Sequence, residues 1–110
     1  MRLPNAEDAI LDAAKIEGYL LSNTHVRGHG KARFFIRFGF TGEKPGELRD
    51  ALLLHVRTND VISLEKSEHG LKYTVEGSLP APDGRAPTIR SVWIIDKGRD
   101  RPRFVTAFPA

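Results

Sequence analysis

The chain is 110 residues long, with 17 basic and 14 acidic side chains, a net charge of +3, 40% hydrophobic residues and no cysteine. This suits a single globular domain over residues 1–110, and it rules out a disulfide framework, a thiolate zinc site and a cysteine nucleophile. No stretch approaches the roughly 18 apolar residues of a membrane span, and Glu7, Asp8, Asp12 and Glu17 interrupt any export-signal core, so a cytoplasmic domain is the expectation.

Asp12 is placed to cap a first helix reaching about Ser22, with Ala13, Ile16, Tyr19 and Leu20 on its inner side. The polar, glycine-rich stretch from Asn23 to Gly30 then reads as a loop. A second helix is expected from Lys31 to about Phe38, ended by a left-handed Gly39 with Phe40 folding back onto it. Pro45 opens a third helix to about Arg57, where Leu48, Ala51, Leu52 and Val56 recur at three- and four-residue steps and Asn59 is the expected left-handed stop.

From Val61 the period changes to that of strands. Val61–Lys66 and Leu71–Glu76 flank a turn near His69-Gly70, and Leu79–Ala86 is loop by its proline and Asp83-Gly84 content. Thr88–Asp96, apolar on both faces at its centre, is expected inside the sheet, and Arg103–Phe108 is the last strand. The prediction is an α+β fold: about three N-terminal helices packed on one face of a four-stranded antiparallel meander sheet.

Charge is unevenly spread. Residues 25–37 carry Arg27, Lys31, Arg33 and Arg37 without an acid, and residues 85–103 carry six bases against Asp96 and Asp100. The two segments hold +8 and the remainder −5, so their meeting in one cleft would create a face for a polyanion. Other chemistries find no support. His25, His29, His55 and His69 form no helical metal-ligand pair, so neither a metal nor another cofactor is expected. Nucleotide-binding glycine loops and the serine-hydrolase elbow are also missing.

The stretch from Arg27 to Phe35 is the most informative. At 100° per residue, Lys31 shares a helix side with Phe34, Phe35 and Phe38, while Arg33 and Arg37 lie opposite. A cation in the first turn of a helix opposes the dipole, so Lys31 either reaches past the rings to solvent or faces an anion of phosphate size. His29, two residues earlier beside glycines, is either an exposed loop histidine or a general acid or base. In the long strand, alternation puts Thr88 and Arg90 on one face and Ser91 and Trp93 on the other, and Arg90 needs an acidic neighbour or a phosphate as partner. Thr106 falls between Phe104 and Phe108 in the last strand, on the same face by simple alternation. His29, Lys31, Arg90 and Thr106 are the candidate catalytic set, with Arg27, Arg33 and Ser91 as candidate substrate-binding residues. Their types suffice for RNA cleavage by the 2′-hydroxyl, which needs a base, an acid and cations around the phosphorus.

Four blocks occur in order: Leu3-Pro4-Asn5-Ala6-Glu7; Lys31-Ala32-Arg33-Phe34-Phe35 with Gly39-Phe40; Val92-Trp93-Ile94-Ile95; and Pro102 to Ala107. Together they resemble a bacterial family, domain of unknown function 6883, over essentially the whole chain. Its helices-then-meander layout is in turn similar to the barnase, EndoU, colicin and RelE group of small ribonucleases. The resemblance picks out Lys31 and Thr106 as the family's lysine and final-strand threonine; where relatives place His or Ser directly before the lysine, this chain has Gly30, with His29 one step earlier. The family brings no established activity, but that layout, with the paired basic segments and the His29, Lys31, Arg90 and Thr106 set, makes a toxin-like, metal-independent ribonuclease acting on RNA and held in check by a neutralising partner protein the expectation. The alternative is a non-catalytic module that binds protein or RNA.

Overall fold

Four strands follow one another along the chain and pair with their neighbours only: β1 (Asp60–Ser67), β2 (Gly70–Ser78), β3 (Thr88–Asp96) and β4 (Arg103–Pro109), in the order β1-β2-β3-β4 and antiparallel throughout. The structure is a computed structural model and describes residues 1–21 and 29–110. Among the described residues three α-helices precede the sheet, which makes the fold α+β: α1 (Ala13–Lys15), α2 (His29–Arg37) and α3 (Pro45–Thr58).

The register of the sheet sorts its side chains. Residues paired across strands share a face, so Gly77 and Ile89 lie together, as do Val75, Ser91 and Ala107, and Tyr73, Trp93 and Phe104. All of these except Gly77 are buried. The other face carries Glu76 with Arg90 and Phe108, then Thr74 with Val92 and Thr106. Glycines at positive φ supply backbone that the connections need. Gly70 (φ +145°) and Gly98 (φ +79°) follow the first turn and shape the third, and Gly84 (φ +90°) sits in the loop between β2 and β3. At the rim of β4 the chain is held from outside: Ile10 N–H donates to Pro102 O at 2.8 Å and Ile10 O accepts from Phe104 N–H at 2.9 Å.

The helices end where local chemistry stops them. Asp12 caps α1, its carboxylate accepting from Ala14 N–H at 2.9 Å. The chain then widens into a π-helical turn (Ile16–Leu20) rather than continuing as a regular helix, with Ile16 and Leu20 fully buried. Tyr19's side chain and Ser22 lie outside what is described. Helix α2 begins at His29, two residues before the expected Lys31, so Gly30 is helical rather than loop; residues 23–28 of the expected loop lie outside the described residues. It ends as expected. Gly39 has φ +101°, its N–H donates to Ile36 O at 3.0 Å, and Phe40 N–H donates to Phe35 O at 3.2 Å while the Phe40 ring is buried.

Helix α3 buries Leu48, Leu52, Leu53, His55 and Val56. Its expected left-handed stop does not occur. Asn59 is extended (φ −123°, ψ 162°), because Asp60 already belongs to β1 and no reversal intervenes. Its side-chain amide instead satisfies a helix carbonyl, Nδ2 donating to His55 O at 3.0 Å. The same side chain occupies the space that a Cβ on Gly77 would fill, so β2 needs a glycine beside the helix end.

His55 joins helix to sheet. The ring is fully buried, and Nε2 lies 3.1 Å from Gly77 O, which can only accept; Nε2 is therefore protonated. Burial holds the imidazole below its ordinary pKa of 6.5, against smaller opposing effects from the Gly77 and Ile89 backbone. The neutral ring then accepts at Nδ1 from Ser91 Oγ–H at 3.0 Å, and Ser91 Oγ accepts from Trp93 Nε1–H at 2.8 Å. This relay runs from β3 through α3 to β2, and among the described residues no buried side-chain nitrogen or oxygen lacks a partner. Trp93 is fully buried, with Phe104 packed edge-on at 5.3 Å between ring centroids.

Two sets of measurements follow. A Cβ on Gly70 would collide with the Ile95 carbonyl oxygen, at a φ that L side chains avoid, so Gly70→Ala should lower stability by about 2 kcal/mol or more. Gly46, in the first turn of α3 with open space around it, should become about 0.5 kcal/mol more stable as alanine. Equal effects of the two substitutions in urea unfolding would contradict the hairpin geometry. For His55 the folded pKa lies below the unfolded one, so the unfolded chain takes up the proton first. Stability is then complete above about pH 6.5 and falls below it, by at most about 1.4 kcal/mol per pH unit, until the folded imidazole protonates as well. Thermal midpoints should fall between pH 7.5 and 5.5, and His55→Gln should flatten that slope; an unchanged slope in the variant would assign it to other groups.

Candidate functional site

Helix α2 and strand β4 bring Lys31 and Thr106 together. Lys31 Nζ donates to Thr106 Oγ1 at 2.9 Å in a partly buried contact between residues 75 positions apart. With α2 starting at His29, Lys31 is its third residue, on the side of the helix that also carries the buried Phe35. The ammonium thus stands in the first turn, where the exposed backbone N–H groups already make the potential positive.

A β-bulge sets the position of Thr106. Trp93 pairs with Phe104 while Val92 pairs with Thr106, so Val105 is an extra residue in β4. Unbroken alternation would put Phe104, Thr106 and Phe108 on one face. The bulge instead turns Phe104 onto the buried face beside Trp93 and leaves Thr106 and Phe108 on the other. Thr106 is therefore freed from the core and meets Lys31 at the β4 side of the sheet.

The other expected site residues are dispersed. Arg90 occupies the same sheet face as Thr106, paired in register with Phe108, but its Nε donates to Glu76 Oε1 at 2.9 Å on the opposite neighbouring strand. That ion pair is partly exposed, a setting in which such pairs contribute about 0–1 kcal/mol. Ser91 cannot bind a substrate from its place: it is fully buried beneath α3, bonded to His55 and Trp93. Arg33 is exposed on the side of α2 away from Lys31. His29 opens α2 two residues before Lys31, and nothing of its side chain is described; Arg27 lies outside the described residues. Among the described residues, no three His, Cys, Asp or Glu side chains converge as a metal ion would require.

Among the described residues, the two basic segments touch where Arg85 meets the end of α2. Arg85 lies on α2, donating to Arg37 O at 3.0 Å with its guanidinium 4.4 Å from the Phe38 ring centroid. Its hydrogen bond and charge hold the Asp83 carboxyl below the ordinary range. Arg99, Arg101 and Arg103 gather beyond the far end of β3, roughly 26 Å away along a nine-residue strand, around an open cavity of about 490 Å³ that Ile10, Asp96 and Asp100 also line. There Arg103 grips Asp96 at 2.7 and 3.1 Å, lowering the carboxyl pKa and raising its own.

Sequence reasoning missed the relay at His55, although a signal was present: His55 lies three residues after Leu52 and seven after Leu48, on the apolar stripe of α3. It also missed the bulge, which strict alternation in Arg103–Phe108 conceals. The docking of the Leu3–Glu7 block is visible only in the fold. Asn5, left-handed at φ 56°, donates to Asp100 O at 3.0 Å, and Arg57 donates to Ala6 O and Glu7 O.

Comparison with known proteins gives a family and a fold. The sequence model of the family described as "Domain of unknown function (DUF6883)" matches residues 2–110. Among solved structures, a chain of the contact-dependent growth inhibition toxin–immunity protein complex from Klebsiella pneumoniae 342 is similar, with a TM-score of 0.71 and 21% sequence identity. The alignment covers 92% of this chain and 99% of that one, and it shows a shared fold. No curated protein matches the chain. None of the helices, among the described residues, is long and apolar enough to cross a membrane.

Proposed function

The chain belongs to the family of domain of unknown function DUF6883, and on that footing we propose that it is a toxin-like, metal-independent ribonuclease. The contact between Lys31 Nζ and Thr106 Oγ1 carries the proposal. It joins two groups able to hold a phosphate, one a first-turn helical cation and the other a hydroxyl turned out of the core by a bulge.

In this reading the phosphodiester sits against Lys31 and Thr106. His29, at the head of the same helix, takes the proton from the 2′-hydroxyl. The 2′-oxygen attacks phosphorus, the bond to the 5′-oxygen breaks, and the Lys31 ammonium protonates the leaving oxygen. Thr106 Oγ–H donates to a non-bridging oxygen as charge accumulates there. The products are a 2′,3′-cyclic phosphate and a 5′-hydroxyl, and both protein groups exchange protons with water. Arg90, one register step away on the same face, acts as a further cation once phosphate replaces Glu76 as its partner. The structurally similar chain comes from a complex named for a toxin and its immunity protein, which supports a neutralising protein as a second partner beside RNA.

Purified protein should cut single-stranded RNA, and not DNA, in the presence of EDTA, leaving cyclic phosphate ends. Lys31→Ala should slow this by about a hundredfold or more, the loss typical for one donor to a developing oxyanion. Thr106→Val should be impaired less, and Arg90→Ala only a few-fold. Unaltered cleavage by Lys31→Ala would remove the site. Stable RNA binding with no loss of RNA, indifferent to Lys31, would mark the protein as a non-catalytic binding module.

A further inference from the structure

Helix α2 carries Phe34 and Phe35, Phe38 follows directly after its last residue, and of the three only Phe35 is fully buried. Phe34 and Phe38 are half-buried, three and seven residues after Lys31, so all three lie on one stripe, at about 4.5 and 10.5 Å along the helix axis from the lysine. Their rings are held. Phe34 packs edge-on to Phe35 (centroids 5.3 Å, 81°) and tilted against Phe38 (5.1 Å, 53°). At the end of the stripe the Arg85 guanidinium covers Phe38 at 4.4 Å. It is fixed by Asp83, with Nε to Oδ2 at 2.7 Å, and by the Arg37 carbonyl.

The order along the stripe is cation, ring, ring, guanidinium plane. Apolar packing alone does not call for it, since an aliphatic residue would cover the core rim at Phe34 as well and an arginine is a costly lid for Phe38 unless its plane is used. Single-stranded nucleic acid presents the complementary order, a phosphate followed by a flat base, and bases stack on phenylalanine rings and on arginine planes with little regard to sequence. The stripe also runs from the Lys31 ammonium to the place where the two basic segments touch, Arg85 against the Arg37 carbonyl.

We propose that Phe34, Phe38 and Arg85 form a nucleobase-stacking strip that receives the base next to the phosphate held by Lys31. The proposal rests on the ribonuclease reading in taking a single-stranded nucleic acid as ligand, and it adds how that strand is gripped: by base faces, without base identity, along α2.

The test compares two uncleavable probes by fluorescence anisotropy, a short 2′-deoxy oligonucleotide and an abasic oligomer with the same number of phosphates. The wild-type protein should bind the base-bearing probe about tenfold more tightly, at the modest end of what one base–aromatic stack supplies. Phe34→Leu, which keeps apolar bulk, should abolish that preference and leave the abasic affinity unchanged, while Phe34→Tyr should retain it. Arg85→Lys, which keeps the charge and removes the plane, should reduce the preference. Lys31→Ala should weaken both probes alike. Equal affinity of the wild type for the two probes, still sensitive to Lys31, would overturn the strip and spare the phosphate site. Failure of both probes to bind would overturn both. Should Phe34→Leu fail to fold, the Arg85→Lys and Phe34→Tyr comparisons decide the matter.

Discussion

The structure depends on one buried polar chain. Trp93 donates to Ser91, Ser91 to His55, and His55 to the backbone of Gly77, which ties the central strands to the longest helix. Each group would be costly to bury alone, and each is acceptable because the next accepts its hydrogen. The chain also fixes direction. A neutral imidazole with its proton on Nε2 is the arrangement that satisfies Gly77 and Ser91 together, and burial is what keeps the ring neutral. Register follows from it, since a one-residue slip of β3 would exchange Ser91 and Trp93 for Arg90 and Val92.

A core fixed in this way leaves the outer face of the sheet free for other uses. The Val105 bulge exploits that freedom by keeping Phe104 under Trp93 while sending Thr106 to the opposite side, where Lys31 reaches it. Helix α2 is aimed from its C-terminal end. Gly39 and Phe40 close its C-terminus, and Arg85 clamps the last turn to the loop between β2 and β3. The first turn, and Lys31 with it, is thereby presented to β4 at a set distance. The far cluster of Arg99, Arg101 and Arg103 takes no part in this arrangement. Its charge is largely spent on Asp96 and on the backbone of the N-terminal segment.

Much of this was legible in the chain because the signals were local. Thr88–Asp96 has the same bounds in sequence and structure, and Gly39-Phe40 forms the cap that its residue types imply. Lys31 was singled out because it breaks two rules of helix composition, and Arg90 because an apolar strand with a cation needs a partner, which Glu76 supplies. What escaped was non-local. Asn59 turned extended because the next strand begins at once, a fact about spacing between elements rather than about asparagine. The bulge at Val105 has no glycine to announce it, and the spreading of the second basic segment follows from the length of β3, which carries Arg85 and the Arg99–Arg103 cluster to opposite ends of the strand.

The separation of Lys31 from Thr106 along the chain bears on how the protein is made. Thr106 is made seventy-five residues after Lys31, and their contact needs β4 in place beside β3. Until then the chain has a helix with a lysine in its first turn and no hydroxyl opposite it. A partly unfolded chain in which β4 is unpaired therefore lacks this contact, whatever the state of α2.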